Sequence, residues 1–402
     1  MGAVLTGLVL LCITGCASKA VSSQKTTVTT ATVEATDTAM TYPDTVGTKA
    51  AEAWVKVPYR EYKTPSATHV EDFGTRVALL GRTLAAPTSL WLLDFKTGAC
   101  KEVVHDAVNI KNGFTILGDR CSDDWVVWEE SNGDNTNSAT GVDWKVYAAP
   151  IDVESLSIGK PWVVSDRATT VESRPLLSLD GDTLYMMTNG SRDALGRITT
   201  FRSRVRAFDL KAHTTRVVYE SERHMSSAAI EEGLLMVAEI TDDDSPAEVN
   251  MIDPASGAVK FSCDLENKPQ LSHYPVYHDG KLVWALIDDV RPDIYMRDAT
   301  GTVTKIAASS SDAVWVHDLL FYEAHPVRSL GTGISAEDSE IQVLDPSTMK
   351  YFTLVSDKID SRSWEAPIGT GSGGGTYVTF KEASIDLVKG TGPTIVRRYE
   401  MK

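Results

Sequence analysis

A two-part motif recurs from about residue 68 to the end of the chain, and its spacing restricts the fold more than any other feature. The first part is a strand, a tight turn and a more apolar strand, as in SRPLLSLDGDTLYMM (173–187) and SHYPVYHDGKLVWAL (272–286). The second is an alternating strand that runs into Asp, a turn and another strand, as in VNMIDPASGAVKFSC (249–263) and IQVLDPSTMKYFTLV (341–355). Asp-Gly between β-rich runs is a strong hairpin signal, because such turns need residues that tolerate positive φ. From Asp209 the turn Asp recurs after 44 residues at Asp253, 45 at Asp298 and 47 at Asp345. Asp94, Asp152 and Asp209 are 58 and 57 apart, the excess lying in insertions.

A four-stranded unit repeating every 40–50 residues, with no strong helix signal between repeats, predicts an all-β β-propeller. Units begin near residues 68, 115, 172, 226, 271, 311 and 363, so seven four-stranded blades are expected, with six and eight as the neighbouring counts. The last unit runs out after its third strand. AWVKVPYREY (53–62) is expected to supply the missing strand, so that an N-terminal strand closes the ring and removes an open edge. The x-x-D-G-x-x-L-x-[YFW] hairpins resemble bacterial TolB-type and WD-type propeller repeats, and the D-x-x-[ST]-G turns are similar to those of quinoprotein-like propellers. That resemblance implies a binding platform and brings no catalytic residue with it. Each turn Asp is expected to accept backbone N–H bonds within its own turn.

The chain begins differently. Residues 3–15, AVLTGLVLLCITG, carry no charge and read as the apolar part of a secretory signal. Ile13-Thr14-Gly15-Cys16 resembles the bacterial lipobox, which implies a signal peptide over 1–15 and a lipid on Cys16. Only Met1 and Gly2 precede the apolar run, with no Lys or Arg, the departure expected if the true start lies upstream. An uncleaved apolar anchor and N-myristoylation at Gly2 are the competing readings. Residues 16–52 are rich in Ser, Thr and Ala and bury too little to offset their ordering entropy, so they are expected to be a disordered tether. About 35 such residues reach roughly 30 Å. Residues 53–402 form the propeller domain, and no later apolar run nears the ~18–20 residues of a membrane-spanning helix. Cys100, Cys121 and Cys263 remain in the body, enough for one disulfide, with Cys100 and Cys121 the nearer pair.

A net charge of −16 lacks the basic stripe that nucleic acid requires. In a propeller the second-to-third-strand loops and the unit connections share one face, and long insertions there are candidate functional loops. Three stand out, at 131–143, 188–204 and 324–340. The second carries Arg192, Arg197, Arg202 and Arg204, and the connections add Arg167, Arg174, Arg223, His224, Arg362 and Trp364. Arginine forks bind carboxylates and phosphates bidentately. The expected ligand- or partner-binding face is therefore Arg174, Arg192, Arg197, Arg202, Arg223, Arg362 and Trp364. The bland alternative is that these arginines pair with nearby Asp and Glu.

Trp144 and Trp364 are candidates for exposed aromatics that stack on sugar rings. The polar loop Asp134–Asp143 invites calcium but lacks EF-hand spacing. Gly369–Gly374 matches G-x-G-x-x-G without a following helix, so it makes no dinucleotide site. No catalytic motif, metal set or cofactor signature appears. The expectation is a lipid-anchored, extracytoplasmic binding or scaffold module of a bacterial envelope, contacting the membrane only through Cys16 and recognising an envelope protein or a small anionic ligand. The alternative is a glycoside hydrolase or lyase at the channel mouth, with Glu172, Glu365 and Asp312 as its carboxyl groups.

Overall fold

The computed structural model describes residues 59–65, 68–82, 89–132, 143–166, 173–190, 202–240, 246–264, 271–287, 292–307, 310–324, 340–353, 365–368, 376–382 and 394–400. All belong to one compact unit, Thr32–Lys402; a second unit, Met1–Ala31, lies outside the described residues. The described strands form seven antiparallel sheets, each built from consecutive strands in sequence order except at the chain ends and in sheet 2, where Trp162–Asp166 pairs with Trp144–Asp152 past the short strand Ser157–Ile158. Sheets 1 to 7 open at Thr68–Phe73, Thr115–Cys121, Leu176–Asp180, His224–Glu231, Leu271–His278, Ser310–Val316 and Glu365–Ile368. These starts fall within a few residues of those expected from the repeat. The seventh sheet is completed by Tyr59–Thr64, which pairs antiparallel with Thr394–Glu400. The chain is a β-propeller closed by its N-terminal strand.

Alternation along the second strands shows why the ring forms. In sheet 1, Val77 and Leu79 pack into a cluster with Val126 and Trp128 of sheet 2. Their neighbours Ala78 and Leu80 pack the other way, against Tyr62 and Val396 of sheet 7. A period of two places successive side chains on opposite faces, and here both faces are covered, so these strands are apolar throughout. Each pair of consecutive sheets shares such a cluster, the seventh and first included. Fully burying a Leu or Val side chain contributes about 1.5–3 kcal/mol, so these seams carry the stability of the ring.

Turns tie the sheets together on the face opposite the insertions. Asp123, in the first hairpin turn of sheet 2, accepts hydrogen bonds from Arg76 N at 2.8 Å, Thr75 N at 3.1 Å and Val77 N at 3.2 Å in sheet 1. Gly74 must lack a side chain here, because a Cβ would lie 2.4 Å from Asp123 Oδ1 and 2.8 Å from its backbone N. His278 of sheet 5 bridges Glu232 of sheet 4 at 2.5 Å and Asp318 of sheet 6 at 3.0 Å.

The recurring Asp residues do close their own turns. Asp253 Oδ1 accepts from Ala255 N at 2.8 Å, and Asp345 Oδ1 from Ser347 N at 2.9 Å. Hydrogen bonds from the Ser347 and Thr348 side chains and backbone hold the Asp345 carboxyl below its ordinary 3.8, against slight burial. A group depressed in the folded state stabilises above its unfolded value, and that contribution disappears as pH falls through the folded value. Asp345→Ala should therefore melt below the parent at pH 7, with the gap narrowing once pH drops under 3.8. Thermal melts of both proteins from pH 7 to 3 test this, and a gap independent of pH would show that the carboxylate charge is immaterial.

One question the sequence leaves open is answered, and one expectation is corrected. Cys100 and Cys121 are both free, as is Cys263. Cys100 packs against the seam between sheets 7 and 1, whereas Cys121 lies in the seam between sheets 1 and 2, so a sheet separates the thiols. Trp144 is not a rim aromatic. It is 1 % exposed, packed with Val146 and Ala148 in the seam between sheets 2 and 3.

Candidate functional site

The connection from sheet 1 to sheet 2 is built on a buried carboxylate. Glu130, at the end of the apolar strand Trp125–Ser131, is fully buried. It accepts hydrogen bonds from Val108 N at 2.7 Å, Asn109 N at 3.1 Å, Asn109 Nδ2 at 3.3 Å and Trp128 Nε1 at 3.0 Å. Asn109 Nδ2 also donates to the Tyr147 hydroxyl at 2.5 Å. A buried carboxylate is tolerated when its lone pairs are filled in this way. The connection then makes one 3-10 turn, Ile110–Asn112, ended by Gly113 at φ 78°. Val108 and Ile110 are left 57 % and 40 % exposed beside it.

This connection forms one wall of a cleft of about 260 Å³ on the insertion face of sheet 2. Asn109 and Asn112 line it from the connection, Asn132 and Asp143 from the base of the 131–143 insertion, and Lys145 and Asp166 from the strands. Phe114 and Trp144 supply the apolar part. Asn132 and Asp143 close the insertion's base, Asn132 N donating to Asp143 O at 3.1 Å and Asp143 N to Asn132 Oδ1 at 2.8 Å. The cleft offers side-chain amides, two carboxyl groups and one ammonium, a set suited to hydrogen-bonding a polar chain.

Of the arginines singled out in the sequence, those described lie in ion pairs. Arg202 Nε is 3.3 Å from Glu222, and Arg223 Nη1 is 3.3 Å from Glu248 and 3.8 Å from Glu239. Arg204 Nε lies 2.6 Å from Glu220. Arg174 Nε is 2.8 Å from Oε1 of Glu129, and both side chains are largely buried. Burial pushes the Glu129 carboxyl up to about 8, with Arg174 pulling against it. The backbone around Arg174 is pinned from sheet 3: Ser173 N donates to Asn189 O at 3.2 Å, and Asn189 N to Ser173 Oγ at 2.8 Å. Asn189 also reaches sheet 4, accepting from Met225 N at 2.9 Å and donating to Met225 O at 2.9 Å.

Arg192, Arg197, Arg362, Trp364 and Cys16 lie outside the described residues, as do Arg167, Glu172, Asp134 and the greater part of the three insertions. The side chains of Asp312 and Glu365 also lie outside them. Among the described residues no group of His, Cys, Asp and Glu is arranged to hold a metal. On the inner wall, burial raises the Asp119 carboxyl well above 3.8, and the charge and hydrogen bond of Glu71 add to this. Sequence reasoning passed over Asn109, Asn132, Lys145 and Glu130. The signal available was Glu129-Glu130 at the end of an otherwise apolar strand, an arrangement that demands buried partners.

No protein-family model matches the chain, and none of the curated proteins matches it. Among solved structures it is similar to an oligogalacturonate lyase of Vibrio parahaemolyticus, with a TM-score of 0.49 and 8% identity over 87% of this chain and 98% of that one. An uncharacterized Listeria monocytogenes protein aligns at a TM-score of 0.47 and 10% identity, over 88% and 98% of the two chains. The β-propeller domain of the Pyrococcus furiosus Trilobed protease aligns at 0.45 and 12%, over 67% and 78%. The chain spans 44% of an acylaminoacyl peptidase that it also matches. These are likenesses of fold.

Proposed function

We propose that this chain is a binding module of a bacterial envelope, tethered by a lipid on Cys16, that takes a loop or peptide of a partner protein on its insertion face. The observation that supports this most is the cleft on sheet 2, where asparagine side chains, Asp143 and Lys145 lie beside the exposed Val108 and Ile110. Side-chain amides match the donor and acceptor pattern of an extended backbone, and a small apolar rim suits its side chains. The lipobox-like Ile13-Thr14-Gly15-Cys16 and the polar tether support the anchoring.

One experiment tests site and anchor together. A photo-crosslinking residue at position 112 in intact cells should capture one dominant envelope protein. The paired reversal Asp143→Lys and Lys145→Glu should lower that yield about tenfold, equivalent to about 1.4 kcal/mol. Cys16→Ala should release the protein into the soluble fraction. Capture that is diffuse, or indifferent to the reversal, would remove the cleft from the proposal, and membrane retention of Cys16→Ala would remove the lipid anchor.

A further inference from the structure

Arg174 differs from Arg202, Arg204 and Arg223 in the nearest carboxyl it meets. The nearest partners of Arg202, Arg204 and Arg223 are carboxylates that reach solvent, whereas Glu129 is 1 % exposed. Across its sheet Glu129 is in register with Gly118 on one side and Val146 on the other. Neither carries charge, and Arg174 is the charged group set against it. Burial holds the Glu129 carboxyl up to about 8 against the pull of Arg174, so near neutrality it compensates the guanidinium charge only in part.

The Arg174 side chain keeps 12 % of its surface exposed. Nε is its nitrogen that is both sealed from water and without a hydrogen bond. The two terminal nitrogens, with four N–H donors, are not among the buried unpaired atoms, and among the described residues no hydrogen bond commits them. Its position is set by the Ser173–Asn189 pairing just before the innermost strand of sheet 3, at the insertion-face end of the channel. A guanidinium held at Nε beside Glu129, with its terminal N–H groups uncommitted, is pre-organised for a planar anion.

We infer that Arg174 is the receptor for an oxyanion, a carboxylate or a phosphate, at the channel mouth between sheets 2 and 3. This deepens the proposed function by naming the ligand chemistry of the same face, and it rests on that face being the ligand-binding one. The anion docks on the terminal N–H groups, while Glu129 behind them modulates the charge. When Glu129 ionises it competes for the guanidinium and repels the ligand, so anion affinity falls as pH rises through the Glu129 titration.

The test is a titration of the full chain, labelled at arginine side-chain nitrogen, with inorganic phosphate and separately with acetate, followed by the guanidinium resonances. The expected result is a saturable shift of one guanidinium signal, absent in Arg174→Lys, with affinity about tenfold weaker at pH 9 than at pH 6.5, a charge-assisted hydrogen bond being at stake. Glu129→Gln should bind at both pH values as the parent does at pH 6.5, a result that a merely structural ion pair would not produce. Stronger binding of phosphate than acetate assigns a phosphate ligand, and comparable binding assigns a carboxylate. The inference is overturned by no saturable shift, by a shift that survives in Arg174→Lys, or by equal shifts at Arg202 and Arg223. Crosslinking through position 112 with no anion response sinks this inference and leaves the proposed function standing, whereas the converse sinks the cleft alone.

Discussion

Deleting residues 59–64 is expected to cost the protein its cooperative fold. That strand is paired along its whole length with Thr394–Glu400, from Tyr59 opposite Tyr399 to Thr64 opposite Thr394. It also supplies one side of two seams. Tyr62 packs with Val396 and Phe95 between sheets 7 and 1, its hydroxyl donating to Phe95 O at 2.7 Å. Tyr59 lies 5.3 Å from the Tyr399 ring, beneath the Arg397 guanidinium at 4.8 Å. Without the strand, Thr394–Glu400 becomes an open edge, which is a template for pairing with another chain. One buried tyrosine, one half-buried and a ladder of backbone bonds together contribute about 5 kcal/mol or more, comparable with the whole stability of many domains. The deletion should therefore elute as aggregate and show no sharp melt. A monomer that melts like the parent would mean that the ring does not depend on this closure.

Trp128→Ala is the point substitution with the largest expected effect. Trp128 has no exposed surface, stacks on Tyr147 with centroids 5.5 Å apart, and donates to Glu130. Truncating a buried Trp costs about 3–5 kcal/mol, corresponding to a fall of about 4–7 °C in Tm for a domain of this size. The consequence extends to the cleft, because Glu130 loses a donor and its hold on Val108 and Asn109 loosens. Trp128→Phe retains the ring stacking but not the N–H, so it should melt between the two. Hydrogen exchange should accelerate over residues 108–114 in both variants. A melt lowered without faster exchange there would separate the packing role of Trp128 from its role in shaping the cleft.

The fold was legible because a propeller repeats its physics. Val77, Leu79, Val126 and Trp128 are apolar in runs since both faces of an inner strand are covered, and Asp253, Asp298 and Asp345 mark the turns at a regular period. The chain-end closure could also be read, from a last repeat one strand short and a spare strand at 53–62. The site was legible in part. Sequence placed Arg174 on the insertion face but had no means of pairing it with Glu129, 45 positions away, and it offered Trp144 as a candidate rim residue. That assignment failed because the first residue of a strand can face a seam as readily as solvent, and only the neighbouring sheet decides between them.

The sequence by itself determined the all-β class, the repeat, the turn chemistry and the closing strand, because each is written in local period and short-range hydrogen bonding. Tertiary structure alone decided that Cys100 and Cys121 sit across a sheet from each other, that Glu130 is spent on the connection to sheet 2, and that Arg174 is backed by a buried carboxyl. These follow from which sheet lies against which. Burial and charge compensation depend on groups brought together from distant positions, and no local pattern records them.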